Sequence, residues 1–297
     1  MDFIIGLRSE STVVEGGFRE TTQLTVDRKK TIPFPRLMLN IPLDSSLNLT
    51  LNYAKTINRP NYLNSSSIST YINPFLEYTR NVNLRSMINE EISANIQYQR
   101  YSLELSYVRQ TDPTFVSIRL DDATNRLISS PQNLELQTSW NLSLTIPYAY
   151  KKWSSMNFFR GSFTKMEDDS AIEFGVTPSL YIYSRHQFRL PKGFSIGGTM
   201  FGLTDRKTGI IDQKGYLVMD LFASKQIGKN LTVTLNLNDI FRNFEFTSTY
   251  NYNNVLTNET RIGDRKAFAI NLRYSFGKKF KSKYQNKNID DNLDRMK

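Results

Sequence analysis

The chain has 297 residues, 39% hydrophobic and 12% aromatic, with a mean hydropathy of −0.45. No run approaches the roughly 20 apolar residues of a spanning helix, so a polytopic helical membrane protein is excluded, and 19 Phe with 16 Tyr exclude a disordered chain. With no cysteine and one histidine, disulfide scaffolds, thiolate zinc sites and thiol nucleophiles drop out; the net charge of +10 is scattered singly apart from one run, Lys278, Lys279, Lys281 and Lys283, without a nucleic-acid-binding motif, and predicts no nucleic-acid partner.

In chain order, the pattern is one of repeated period-two segments. Met1 to Gly6 lacks the basic and apolar regions of a signal peptide, which leaves a cytoplasmic protein or a chain whose preceding part is missing; the rest of the sequence favours the second. Phe3 to Arg8 and Leu37 to Ile41 alternate weakly, and Pro42-Leu43-Asp44-Ser45 reads as a turn. Leu47-Asn48-Leu49-Thr50-Leu51-Asn52-Tyr53 then puts every apolar residue on one face and every polar residue on the other. A long polar stretch, 59–87, precedes Ile92 to Tyr98, the turn Gln99-Arg100 and the strict alternation of Tyr101 to Tyr107. After polar 112–132 come Trp140 to Ile146, the turn at Tyr150 to Trp153, and Asn157 to Thr164. Polar 165–171, the turn Pro191-Lys192-Gly193, Phe194 to Phe201, polar 204–214 and Leu217 to Ala223 continue the series. Gly228-Lys229-Asn230, Leu231 to Asn238, polar 243–265 and Phe268 to Phe276 complete it.

Nothing sustains a helical period, so an all-β chain is expected. Short connections alternate with long ones, as in a meander with one periplasmic and one outward rim. Strands of about ten residues match the 9–11 of a tilted membrane strand. Tyr53, Tyr98, Tyr101, Tyr107, Trp140, Tyr148, Tyr150, Trp153, Tyr274 and Phe276 lie at or near strand ends, where two aromatic girdles are expected. A barrel of about twelve strands is too wide for side chains to fill, which favours a polar interior and an apolar exterior over the lipocalin arrangement. The expectation is a transmembrane antiparallel up-and-down β-barrel over residues 1–277, in contact with outer-membrane lipid, followed by a polar, disordered periplasmic tail, 278–297.

Three segments carry a resemblance. Asn58-Arg59-Pro60-Asn61-Tyr62 with Ile72-Asn73-Pro74-Phe75-Leu76-Glu77-Tyr78, then Leu237-Asn238-Asp239-Ile240-Phe241, then Asn271 to Lys278 with its Tyr-x-Phe-Gly-Lys ending, resemble the Bacteroidota outer-membrane β-barrel family allied to TonB-dependent receptors. The resemblance covers nearly the whole chain. Asn81-Val82-Asn83-Leu84-Arg85-Ser86 departs from the family's usual segment, lacking its Gly and both prolines. The resemblance implies the C-terminal portion of a larger, plug-closed barrel that takes up solute with a TonB energy-coupling complex. The plug, the coupling box and a signal peptide have no counterpart in this sequence, so transport by this polypeptide alone is not expected. The alternative is a self-contained small barrel acting as a passive pore or structural protein.

Candidate chemistry is sparse. Ser184 and His186 share a strand face, the minimum equipment of a barrel lipase or protease, yet no orienting group or oxyanion hole accompanies them; a lumen or rim histidine without chemistry is the plainer expectation. Glu167-Asp168-Asp169 and Asp121-Asp122 lack calcium-loop spacing and read as solvated loop tips; three Asn-x-Ser/Thr matches in or beside strands read as accidental. No catalytic residue, metal ligand or cofactor is therefore assigned, and the chain is expected not to be an enzyme. Glu104, Asn236 and Arg273 fall on the polar, lumen-facing side. Arg59, Asn61 and Tyr62 open the longest connection, which in the resembled family is an outward loop in position to touch substrate.

Overall fold

The computed structural model describes residues 1–17, 24–168, 177–208, 211–252 and 255–277; the tail expected at 278–297, with its lysine run, and Asp169 lie outside them. Among the described residues the strands in chain order are β1 (Asp2–Gly17), β2 (Leu24–Pro42), β3 (Leu47–Asn58), β4 (Ser69–Asn73), β5 (Leu76–Thr79), β6 (Met87–Tyr98) and β7 (Tyr101–Thr111). There follow β8 (Thr114–Asp121), β9 (Arg126–Asn133), β10 (Leu136–Tyr150), β11 (Trp153–Glu167), β12 (Thr177–Arg189) and β13 (Phe194–Leu203). The last are β14 (Arg206–Thr208), β15 (Ile211–Gln213), β16 (Tyr216–Ile227), β17 (Leu231–Asn238), β18 (Glu245–Tyr252), β19 (Val255–Ile262) and β20 (Ala267–Tyr274).

Twelve of them form one antiparallel sheet in the order β1-β2-β3-β6-β7-β10-β11-β12-β13-β16-β17-β20, an up-and-down meander without crossovers. The short turns at 43–46, 99–100, 151–152, 190–193 and 228–230 all lie at one end, as the sequence predicts. Residues with φ near +55° stand where these turns need them, Gln99, Lys151 and Lys192 among them. Among the described residues β1 and β20 do not pair with each other, and each stands at an edge of the sheet.

Polarity is inverted relative to a soluble sheet. Along β10, Trp140 and Leu142 are each 51% exposed, whereas Ser143 between Leu142 and Leu144 is 7% exposed. The polar face is the shielded one, and its side chains satisfy one another across strands. Asn95 donates to Ser102 at 2.7 Å, Gln137 to Gln110 at 2.7 Å, and Ser162 to Asn141 at 2.7 Å, while the Arg160 Nε donates to Ser143 at 3.1 Å. Such pairing offsets the cost of shielding polar groups from water. The exposed face is apolar and suits hydrocarbon.

Register locates the margins of that apolar face. Tyr53, Ile92, Tyr107, Trp140 and Phe163 are successive partners on β3, β6, β7, β10 and β11, with Tyr107 and Trp140 rings 4.9 Å apart. One step beyond lie Lys55, Glu90 and Arg109, joined by ion pairs of 3.1 and 3.3 Å. At the short-turn end Trp153 stands 5.0 Å from Tyr148 and 6.1 Å from Phe188, stacked on the latter. The two girdles enclose Trp140 to Tyr150 on β10; at about 3.4 Å per residue and a tilt of 35–45° this is roughly 24–28 Å, the height of an outer-membrane apolar band.

The tilt itself is recorded in the stagger. The row that starts at Ser102, one residue inside the turn end of β7, passes through Thr145, Phe158, Tyr183 and Phe201 to Val218. Val218 lies nine residues short of Ile227, where β16 ends. Turns that step down relative to the hydrogen-bond rows are what strand tilt requires of a barrel wall.

The long connections are more ordered than their polarity predicts. They form two further four-stranded sheets at the loop end, β4-β5-β9-β8 and β14-β15-β18-β19. The first includes a parallel β5–β9 pair, which joins two different connections. The two sheets meet at Tyr250, 3% exposed, packed against Phe115, Ile118, Leu127 and Ile211. Its hydroxyl donates to the Ile118 carbonyl and accepts the Ile118 N–H. This is a small hydrophobic core above the membrane.

A second knot explains the Leu237 to Phe241 motif. Asp239 is fully buried at φ 45°, and its carboxylate accepts the N–H groups of Asn243 at 2.8 Å and Phe244 at 3.1 Å. Its own N–H donates to Asp220, which also binds Arg265 at 2.6 Å. The guanidinium of Arg265 lies over the rings of Phe201 and Phe244. A buried carboxylate needs such donors, and here they fix the base of the β17–β20 connection.

Candidate functional site

Strands β1, β2 and β3 extend beyond the apolar band, and the segment after β3 folds back over their polar face. Between them is a cavity of about 1100 Å³ lined by Glu10, Arg28, Lys30, Phe34, Arg59, Asn61, Tyr62, Arg85 and Asp112, among others. Arg59, at the start of the connection, forms an ion pair with Glu10 across the cavity, and Arg8 adds a second at 2.9 Å. Glu10 faces Ile32 in the register, on the loop side of the band. The hydrogen bond from Arg59, then the charges of Arg8 and Arg59, hold its carboxyl below the usual Glu range.

Asn61 and Tyr62 sit in the same wall in different roles. The Asn61 side chain accepts the Asn64 N–H at 2.7 Å and its carbonyl accepts the Ser65 hydroxyl at 2.9 Å, so it shapes the turn. Tyr62 is 96% exposed and presents its ring to whatever approaches. The segment lacking the family's Gly and prolines is held by side chains instead. Arg28 donates to the carbonyls of Val82 at 3.1 Å and Leu84 at 3.2 Å. Arg85 pairs with Asp112 at 2.8 Å, and Asn133 accepts the Arg85 N–H at 2.8 Å.

Glu104 and Arg273 are not part of this cavity. Glu104 lies half-buried on the polar face of β7, opposite Asn95 and Ser143. Arg273 lies on the polar face of β20, opposite Thr232 near the short-turn end. Asn236 lies on that face also, opposite Phe222 and Ala269. The structure thus gathers Arg59, Asn61 and Tyr62 and leaves Glu104 and Arg273 apart. Sequence reasoning missed Arg28, Lys30, Arg85 and Asp112. The alternation of Val26, Arg28, Lys30, Ile32 and Phe34 on one face of β2 was the available signal.

Ser184 and His186 do meet, but on the outer face rather than at the lumen or rim. In register Ser184 opposes Asn157 and Met200, and His186 opposes Ser155 and Gly198, all within the apolar surface. The Trp153 indole N–H donates to His186 Nδ1 at 3.2 Å. An indole can only donate, so the imidazole proton sits on Nε2 and is directed at Ser184 Oγ, 2.9 Å away. Ser184 in turn donates to Asn157 Oδ1 at 2.6 Å, and Asn157 donates to the Ile146 carbonyl at 3.1 Å. Every hydrogen bond runs in one direction. A general base needs its lone pair facing the hydroxyl; here the lone pair faces the indole.

The acidic candidates are locally engaged. Asp121 accepts the Thr124 hydroxyl at 2.6 Å in the β8–β9 turn, and Glu167 pairs with Lys165 at 2.5 Å. Among the described residues no group of three or more His, Asp or Glu is placed to hold a metal ion.

Comparisons of the fold return transporters and receptors. The copper transporter OprC is similar at 12% identity and a TM-score of 0.60, over 92% of this chain and 45% of that one. The FrpB iron transporter from Neisseria meningitidis is similar at 13% and 0.58, over 92% and 42%. The siderophore receptor PirA from Pseudomonas aeruginosa is similar at 14% and 0.55, over 92% and 47%. At these identities the likeness is one of fold, and the chain spans less than half the length of each. No curated protein matches it in sequence. Residues 1–274 match a defined family along nearly their whole extent, which accords with the inverted polarity, the girdles and the stagger: the chain belongs to the outer membrane protein beta-barrel family.

Proposed function

We propose that this chain is the C-terminal wall of a larger TonB-dependent-receptor-like barrel that takes up solute across the outer membrane, completed by further strands and a plug, and driven by an energy-coupling complex. The observation that carries this reading is the pair of open edges, β1 and β20. Unpaired strand edges are not sustained in lipid, and fold relatives supply the complement, since 92% of this chain covers only 45% of OprC. The same reading gives the barrel a conduit role without bond chemistry. Arg59 and Tyr62, with Arg28 and Lys30, form the loop-end surface that solute meets first, and Glu104 and Arg273 belong to the polar wall further along its path. The Arg59-Pro60-Asn61-Tyr62, Asn238-Asp239-Ile240-Phe241 and Tyr274 to Lys278 motifs support a Bacteroidota affiliation.

A second reading, a self-contained barrel serving as a passive pore, is favoured by the Tyr250 core. It ties the connection after β7 to that between β17 and β20, and so draws distant parts of the sheet together. Gel mobility of the chain extracted from outer membrane, with and without boiling, separates the two. The receptor reading expects no shift on boiling. A fast-migrating band before boiling, with ion conductance in a planar bilayer, would establish the pore and overturn it.

A further inference from the structure

The outer face is not evenly corrugated. A groove of about 630 Å³ runs along β13 and β16 on the side that meets lipid. Its floor lies low at Ala223, which carries only a methyl group, and is formed by Leu221 over Gly198. One wall is His186 and Phe188 of β12; the other is Leu235 and Leu237 of β17. At the Gly198 position the backbone is closely covered, since an added Cβ would come within 3.0 Å of Leu221 Cδ2.

At its short-turn end the groove opens on cations. Lys225, on the outer face opposite Phe194, lies with its Nζ 3.6 Å from the centre of the Phe194 ring. Lys192 and Lys229 are exposed in the two adjoining turns, and the first of these turns packs on Gln226 next to Lys225, as the contacts around Gly193 show. No carboxylate lies in either turn or on the groove's lining.

The groove also has the length of one leaflet. From the Phe194–Lys225 pair to the Met200–Met219 pair is six residues along β13. At about 3.4 Å per residue and a tilt of 35–45° that is roughly 14–17 Å, half of the ~30 Å hydrocarbon core. Short turns face the periplasm in barrels of this kind, so the leaflet concerned is the glycerophospholipid one.

We infer that this groove binds one anionic glycerophospholipid of the periplasmic leaflet, with its phosphate at Lys225 between Lys192 and Lys229 and one acyl chain along Ala223 and Leu221. The charge at the mouth selects the headgroup and the low floor at Ala223 seats the chain.

Trp153 reports on the site directly, because it stacks on Phe188 in the groove wall. Replacing Trp140 by Phe leaves Trp153 as the single tryptophan of the two. The full chain, extracted from outer membrane in a mild non-ionic detergent, is titrated with a small fraction of acyl-brominated phosphatidylglycerol or of acyl-brominated phosphatidylcholine, and Trp153 fluorescence is read. One well-placed lysine at the surface enriches anionic lipid about threefold to fivefold, and quenching by the brominated phosphatidylglycerol is expected to reach half-maximum at a correspondingly lower fraction. Lys225→Gln removes that preference while leaving quenching by phosphatidylcholine unchanged. Ala223→Phe fills the floor and weakens quenching by both lipids. Equal quenching by the two lipids in the parent chain, or a preference that survives Lys225→Gln, overturns the headgroup assignment. Undiminished quenching in Ala223→Phe, with Trp153 emission unshifted, overturns the seat for the chain.

Discussion

Leu144 and Thr145 are neighbours in β10, both half-buried, yet the inverted polarity assigns them to different solvents. Leu144 is on the outer face opposite Leu103 and Phe159; Thr145 is on the polar face opposite Ser102 and Phe158. Leu144 lies four residues from the girdle at Trp140 and six from that at Tyr150, about 14 and 20 Å along the strand, close to the middle of the apolar band. An arginine at mid-band costs about 2–4 kcal/mol on a lipid-facing position. On the polar face the guanidinium keeps hydrogen-bonding partners, and a cost within about 1 kcal/mol is expected. Leu144→Arg should therefore shift the folding equilibrium by roughly 30-fold to 800-fold, and Thr145→Arg by much less. Urea titration of the chain extracted from outer membrane in a mild non-ionic detergent, followed by tryptophan fluorescence, measures both. Equal costs for the two variants, or a Leu144→Arg cost below about 0.5 kcal/mol, the usual range of a water-facing substitution, would refute the assignment of faces.

Three further outcomes are expected. The Glu10 carboxyl titrates below the ordinary Glu value because Arg59, then Arg8, favours its charged form; its contribution is complete above the unfolded Glu pKa and is lost as pH falls through the depressed folded value. Spin labels at Thr12 and Ser66 should thus separate on acidification below that range and stay fixed between about pH 6 and 8, whereas separation already at the upper end would contradict the pairing. Tyr250→Phe leaves the Ile118 N–H and carbonyl without their partner, at a cost of about 1–3 kcal/mol for groups held away from water; faster proteolysis within 112–132 should report it, and an unchanged cleavage rate would count against the loop core. Asp239→Ala removes two charge-assisted hydrogen bonds, each worth about 1.5–3 kcal/mol, and should raise amide exchange at Asn243 and Phe244 far more than at the Thr234 amide of β17; uniform exchange would show that Asp239 does not organise the connection.

The membrane wall was legible because its rule is linear. Leu47 to Tyr53, Tyr101 to Tyr107, Trp140 to Ile146 and Leu231 to Asn238 alternate strictly, and each lies inside one strand of the main sheet. The loop sheets were not legible. Their stability depends on partners such as Tyr250 and Ile118, 132 residues apart, and β5 pairs with β9 rather than with a neighbour in the chain alone. The same reason hid the cavity: Arg59 was visible as a motif residue, whereas Glu10 and Arg28 acquire meaning only once β1 and β2 stand beside it. On β11 the outward positions are Trp153, Ser155, Asn157 and Phe159, a mixed set in which alternation cannot tell lipid from lumen. Those polar residues tolerate the apolar face because Ser155, Asn157, Ser184 and His186 satisfy one another.

The proton order of that cluster stands one substitution from reversal. That order rests on the indole of Trp153, which occupies the Nδ1 lone pair of His186 and so fixes the tautomer. With Trp153→Phe the imidazole is released to place its proton on Nδ1 and turn an acceptor towards the Ser184 hydroxyl, 2.9 Å away, on a surface already bathed in ester-bearing lipid. A fluorophosphonate probe that labels Ser184 in the Trp153→Phe variant and not in the parent chain would reveal that a lipid-facing hydrolytic pair is being held in check by a single N–H; no labelling of either would show that a tautomer alone does not make a nucleophile.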